Sequence, residues 1–217
     1  MCNLYSVTSS QAAIRELARA FSDLTGNLPP LPAVFPDALA PVVRTVPDGG
    51  RELVLMRWGF PPPMNAESSL VTNVRNTASH WWLPWLNAGH RCLVPVNSFC
   101  EWTDSKPKVT HWFARDETRP LFFFAGIWRP WTGARGTKAH PAVGDHLLFS
   151  FLTTASNATV APIHAKAMPV CPLTEADRET WLTGSMDKAL ALQHPAPNAA
   201  LHIVATGQTR DGPQATG

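Results

Sequence analysis

The chain begins Met1-Cys2-Asn3-Leu4, and once Met1 is removed Cys2 carries an α-amine and a thiol on adjacent carbons. An α-amine titrates near ~8, so a useful fraction is neutral at pH 7. The neutral amine can attack an aldehyde to form a Schiff base, and the thiol can then close a thiazolidine ring. Alternatively the thiol attacks an amide with the amine as its base. An incidental cysteine at a variable terminus is the plain reading, and position alone favours it.

Three further segments hold groups that such chemistry would need. In Thr72-Asn73-Val74-Arg75, Asn73 and Arg75 stand two apart and so share one face of a strand. An amide that orients a substrate and a guanidinium that grips phosphate would work together there; the alternative is a pair of polar side chains facing water. Glu101 lies between Cys100 and Trp102, and apolar company favours the protonated carboxyl of a general acid. A Glu at a strand end facing solvent is the competing reading. His164 is bracketed by Pro162 and Pro169 in a stiff loop after a long apolar strand, a setting none of the other seven histidines has.

The elements that must position these groups are mostly strands. Apolar runs predict strands over 52–58, 70–75, 91–96, 109–115, 121–128 and 146–154, with a last one in 200–206. Helical spacing of Ile14, Leu17, Ala18 and Phe21 predicts a helix from Thr8 to Phe21, with Thr8 and Gln11 as a capping box. Thr174 and Asp177 open another through Trp181, and Ser185 to Leu192 suggests a third. The stretch 78–89 reads as a short aromatic helix interrupted by Pro84, and 27–41 as too proline-dense for regular structure. Strands without strict βαβ alternation predict one α+β domain over 1–217.

Composition narrows the function classes. The formal charge of +2 announces no nucleic-acid partner, although Arg outnumbers Lys 13 to five. Four cysteines without a CxxC pair or zinc-finger spacing argue against a metal site. Cys92, Cys100 and Cys171 read as small core hydrophobes. No secretory leader is visible, and the longest apolar run, 121–128, falls far short of the ~20 residues of a membrane helix. A cytoplasmic protein with reduced thiols and no membrane contact is expected.

Taken in order, the N-terminal Met-Cys, the Asn73-x-Arg75 strand, Arg91-Cys92-Leu93-Val94-Pro95 running into Glu101, Phe124-Ala125-Gly126-Ile127-Trp128, Phe151-x-Thr153-Thr154 and Ile163-His164 before Met168-Pro169-Val170 resemble the SRAP (SOS response-associated peptidase) family over essentially the whole chain. The resemblance implies mostly antiparallel sheets forming an open barrel-like core with flanking helices. It implies a monomer without cofactor that recognises abasic sites in single-stranded DNA. Cys2 would be the nucleophile through amine and thiol, forming a thiazolidine DNA–protein crosslink that shields the lesion. Asn73 would position the sugar or adduct, Glu101 would shuttle protons, and His164 would assist opening of the sugar ring. Arg75 would hold a phosphate, with Arg44, Arg57 and Lys166 lining a groove and Trp58 available to stack on a base. The peptidase label implies at most removal of the protein's own N-terminal residue.

Three departures from the family pattern stand out. Asn3-Leu4 replaces a Gly-Arg whose Arg touches the DNA backbone. Trp58-Gly59-Phe60 is followed by a stretch with no aromatic wedge, leaving Met64 as a weaker substitute. The His164 segment is one residue longer than usual, which makes Lys166 a substitute for a basic residue nearer the histidine. Two other functions also fit an N-terminal cysteine: a hydrolase or amidotransferase acting on a small amide, and a non-covalent single-strand binder in which Cys2 is incidental.

Overall fold

A computed structural model describes residues 2–62 and 70–212 of the chain; Met64 lies outside the described residues. The strands are β1 (Tyr5–Val7), β2 (Ser22–Asp23), β3 (Leu31–Val34), β4 (Leu39–Thr45), β5 (Arg51–Trp58), β6 (Asn73–Val74), β7 (Arg91–Val96), β8 (Ser98–Trp102), β9 (Thr110–Ala114), β10 (Phe122–Gly136), β11 (Pro141–Thr154), β12 (Met168–Pro169) and β13 (His202–Thr206). The helices are α1 (Gln11–Ala18), α2 (Glu175–Thr183) and α3 (Met186–Leu190). The architecture is the mostly antiparallel α+β arrangement expected.

Five strands close into a barrel. Antiparallel ladders run β5–β4–β7–β10–β11. The ring shuts where β11 pairs parallel with β5, Leu148 opposite Arg57 and Phe149 opposite Trp58. A second sheet, ordered β13-β9-β8-β1-β3, leans on this ring, and the short strands β6 and β12 attach to β11. The core between the two layers is aromatic. Tyr5 meets the edge of Trp58 at 5.1 Å between ring centroids, and Trp58 stacks on Phe151 at 5.3 Å. Gly126 is required by close approach: a Cβ there would stand 2.8 Å from the Cys92 sulfur. The backbone carbonyls of Cys92 and Gly126 both accept from the Trp181 indole N–H, which fastens α2 to the barrel.

The proline-rich stretch is the main correction. It forms β3 and the start of β4 because Pro32 sits on a sheet edge, and Pro41 precedes the point, at Val43 and Arg44, where β7 joins β4. The first helix is capped by Ser10, whose hydroxyl accepts from Ala13 N, rather than by Thr8. Gln11 instead ties the helix to Asp23, Thr25 and Gly26. Residues 78–89 form turns and two short 3₁₀ segments rather than one helix. Strand 70–75 shrinks to Asn73–Val74, while β10 and β11 outgrow their apolar runs as a long hairpin. Thr174 and Asp177 open α2 as read, bonding reciprocally in a capping box, and the helix runs two residues past Trp181 to Thr183.

Candidate active site

The N-terminal segment enters the second sheet beside β8, with Tyr5 opposite Phe99 and the Cys100 amide donating to Leu4 O at 2.9 Å. Continuing that register backwards brings the chain start alongside Glu101. Cys2 is only 1% exposed. Its sulfur faces Leu4 O at 3.5 Å, and burial together with the Glu101 charge pushes its thiol well above the ordinary range. The group is therefore a thiol at neutral pH, and needs a base before it can act as a nucleophile.

Asn73 reaches Cys2 from the barrel side. Parallel pairing of β6 with β11, Asn73 opposite Phe151, fixes the backbone. Its Nδ2 donates to Cys2 O at 2.9 Å, while its Oδ1 is buried without a hydrogen-bond partner among the described residues. Arg75 does not share that burial. It is exposed, and its guanidinium donates to Lys166 O at 3.4 Å, tying the 73–76 segment to the histidine loop.

Glu101 is buried at 2% exposure, with Oε1 unpartnered among the described residues and Oε2 3.9 Å from His164 Nε2. Desolvation raises its carboxyl to about 8. Desolvation also holds the His164 imidazole below its ordinary value. The two directions agree that this pair is a neutral acid beside a neutral imidazole near pH 7, not an ion pair, despite the ion-pair distance. The histidine loop is held by more than its prolines. Asn157 Oδ1 accepts from Thr159 N and Val160 N, Asn157 Nδ2 donates to Ala196 O, and Ser156 Oγ donates to His164 O at 2.6 Å.

Glu101 and His164 open onto a cleft of about 620 Å³ lined also by Asn3, Trp102, Asp104, Lys108, Ala165 and Lys166. The structure thus brings Cys2, Asn73, Glu101 and His164 to one place, with Lys166 on the rim and Arg75 behind it. Three expected DNA contacts are elsewhere. Trp58 is fully buried, stacked on Phe149 and Phe151, with its indole N–H donating to Thr72 O, so it cannot stack on a base. Arg44 pairs with Glu52 across β4–β5, lies over Trp128, and lines a separate apolar pocket with His90 and Leu182. Arg57 is likewise engaged, donating to Asp37 O at 2.6 Å. The cleft has its own tryptophan and a further lysine, Trp102 and Lys108, which sequence reasoning passed over. The signal was available: Ser105-Lys106-Pro107-Lys108 is a basic turn directly after the Glu101 strand. Among the described residues no three His, Cys, Asp or Glu side chains gather as metal ligands would, and no helix is long and apolar enough to cross a membrane.

A closed five-stranded β-barrel with a second sheet beside it holds the buried Cys2 and Asn73 next to Glu101 and His164, which line the cleft. The family model for SOS response associated peptidase (SRAP) matches residues 1–208, and the chain belongs to that family. Similar relatives include the abasic site processing protein YoqW of Bacillus subtilis, 25% identical over 150 residues, covering 65% of this chain and 62% of that protein. Another is the abasic site processing protein YoaM of the same organism, 26% identical over 151 residues, covering 65% and 61%. The alignments span less than two thirds of those relatives' length. Crystal structures of a protein from Bordetella bronchiseptica (TM-score 0.71, 20% identity, 95% and 98% coverage) and one from Bacteroides thetaiotaomicron (0.68, 24%, 93% and 90%) share the fold.

Proposed function

We propose that this protein processes abasic sites in single-stranded DNA by capturing the lesion covalently on Cys2 after removal of Met1. Its relatives' names support the lesion class. The observation that carries the chemistry is Glu101: a buried, proton-bearing carboxyl near His164, with one oxygen lacking a hydrogen-bond partner among the described residues.

The closed deoxyribose first opens to its aldehyde, with the neutral His164 imidazole relaying the hydroxyl proton towards the ring oxygen. The free α-amine of Cys2 attacks the C1′ carbonyl to give a carbinolamine. Glu101 donates its proton to the departing hydroxyl, water leaves, and a Schiff base remains. The Glu101 carboxylate then takes the thiol proton as Sγ adds to C1′, closing the thiazolidine and regenerating the acid. The sum is aldehyde plus aminothiol giving thiazolidine and one water. Asn73, bonded to Cys2 O, holds the nucleophile's backbone, while Arg75, Lys166 and Lys108 supply charge for flanking phosphates and Trp102 a ring for an unstacked base.

The test is a uracil-containing oligonucleotide treated with a uracil glycosylase, incubated with protein and run on a denaturing gel. A shifted covalent band is expected for the wild-type chain, and none for Cys2→Ala or for protein with a tag retained before Cys2. No band with wild-type protein, or an equal one with Cys2→Ala, overturns the proposal.

A further inference from the structure

Thr72 lies beside Asn73 and is almost fully buried, while Asn3 is exposed and lines the cleft. The Thr72 hydroxyl donates to Asn3 Oδ1 at 3.1 Å and accepts from Asn73 Nδ2 at 2.8 Å. A hydroxyl has one proton. Spending it on Asn3 leaves only an acceptor for Asn73, so the Asn73 amide must turn its NH₂ towards Thr72. The second proton of that NH₂ goes to Cys2 O. Both donors are then used on one side, and Asn73 Oδ1 is forced to the other, where it is buried and lacks a partner among the described residues.

We infer that Asn3 and Thr72 form a positioning relay that locks the Asn73 carboxamide in one orientation, keeping Oδ1 open as an acceptor for the N–H of the Cys2 amine or its adduct. The inference rests on the covalent capture proposed above and deepens it. A buried acceptor left unpartnered is costly, a cost that a substrate-stage N–H recovers when it arrives. An amine that donates one N–H to Oδ1 has its lone pair aimed elsewhere, a constraint that a freely flipping amide would not impose. The relay stands on a rigid base. Thr72 O accepts from the Trp58 indole in the core at 3.1 Å, and also from Phe151 N. That gives Trp58 a role in the site through the backbone it anchors, not through a base. Asn3 and Thr72 touch neither reacting atom, so they are positioning residues.

Thr72→Val keeps the shape and removes the hydroxyl, Thr72→Ser restores it, and Asn3→Ala removes the outer end. The experiment measures crosslinking rate against concentration of the abasic oligonucleotide, with melting temperature as a control. Thr72→Val lowers the maximal rate about 10-fold with half-saturation unchanged, Asn3→Ala lowers it about 3-fold, and Thr72→Ser stays close to wild type. A second readout needs no crosslinking: the Asn73 side-chain amide protons, slow to exchange in the wild-type protein, lose protection about 10-fold in Thr72→Val. Equal rates in Thr72→Val and wild type, or a Thr72→Ser variant as slow as Thr72→Val, overturn the relay. If the wild-type chain forms no crosslink, the covalent reading fails, and the amide exchange alone decides the relay: unchanged protection in Thr72→Val overturns it.

Discussion

The two ends of β8 carry two buried polar clusters that have been treated in opposite ways. At the Ser98 end, Ser98 bonds both Ser6 and Asp211, and Asp211 takes the Arg119 Nε proton at 2.8–2.9 Å. Next to it, Asn97 joins Thr8, Ser9 and Arg119. None of these side chains is left with an orphaned buried polar atom. At the Glu101 end, three residues along, Glu101 Oε1 and Asn73 Oδ1 are both buried and without a partner among the described residues. Folding penalises such orphans, so a satisfied cluster reads as structure and an unsatisfied one as a place kept for something that binds. Residue type would not have separated them, since both ends hold a buried carboxylate and a buried asparagine.

The contrast can be broken in several ways. The largest effect belongs to Glu101→Gln, which should slow crosslinking by about 10²–10⁴-fold in a gel time course, because the amide can neither give nor take the proton. The same substitution should leave folding intact and flatten the pH dependence of stability. Unfolded, the carboxyl ionises in the ordinary carboxylate range; folded, it keeps its proton up to about 8. Between those values the folded chain binds a proton that the unfolded chain has lost, so stability falls as pH rises and the loss is complete above the folded value. Urea titrations at pH 5 and 9 should show wild-type protein losing about 2–4 kcal/mol more than Glu101→Gln.

The opposite signature is expected at the other end. Asp211→Ala should cost about 2–3 kcal/mol by leaving Arg119 and Ser98 without their acceptor, yet crosslink at the wild-type rate below its melting temperature. A crosslinking defect there would erase the distinction between the ends. Smaller still, Arg75→Ala should weaken oligonucleotide binding and reduce the salt slope by about one, as read by fluorescence anisotropy across salt concentrations. Smallest is Arg44→Ala, expected to leave DNA affinity unchanged because its guanidinium is committed to Glu52 and Trp128.

Much of the fold was legible because apolar runs mark buried strands: β5, β7, β9 and the barrel halves of β10 and β11 fall where the sequence puts them. The outer arms of that hairpin were not, since Gly133, Ala134 and Pro141 bury little and are held by ladder pairing with Gly144, Val143 and Gly136. The β3–β4 strands were hidden by prolines whose missing N–H groups cost nothing at an edge. In the site, residue type pointed to Cys2, Asn73, Glu101 and His164, but their meeting depends on register between β1 and β8 and between β6 and β11. Trp58 and Arg44 were misassigned for a shared reason. A tryptophan or an arginine looks the same in sequence whether it faces a nucleic acid or is consumed by a neighbour. Arg44 opposite Glu52 is a cross-strand pair that appears only once β4 is recognised as a strand.

The order of strands also sets a timetable for synthesis. β1 lies between β3 and β8, and the strand that covers the chain start ends at Trp102. The β1–β3 pair alone is too small to be stable. A nascent chain growing at about 5–20 residues per second therefore leaves its first residues undocked for several seconds. The amine chemistry proposed for Cys2 requires Met1 to be removed, and Cys2 itself stays uncovered by β8 through this interval. A slower-folding variant of β8 would lengthen that interval and a faster one would shorten it, so the time Cys2 spends undocked is tied to the rate at which the second sheet assembles.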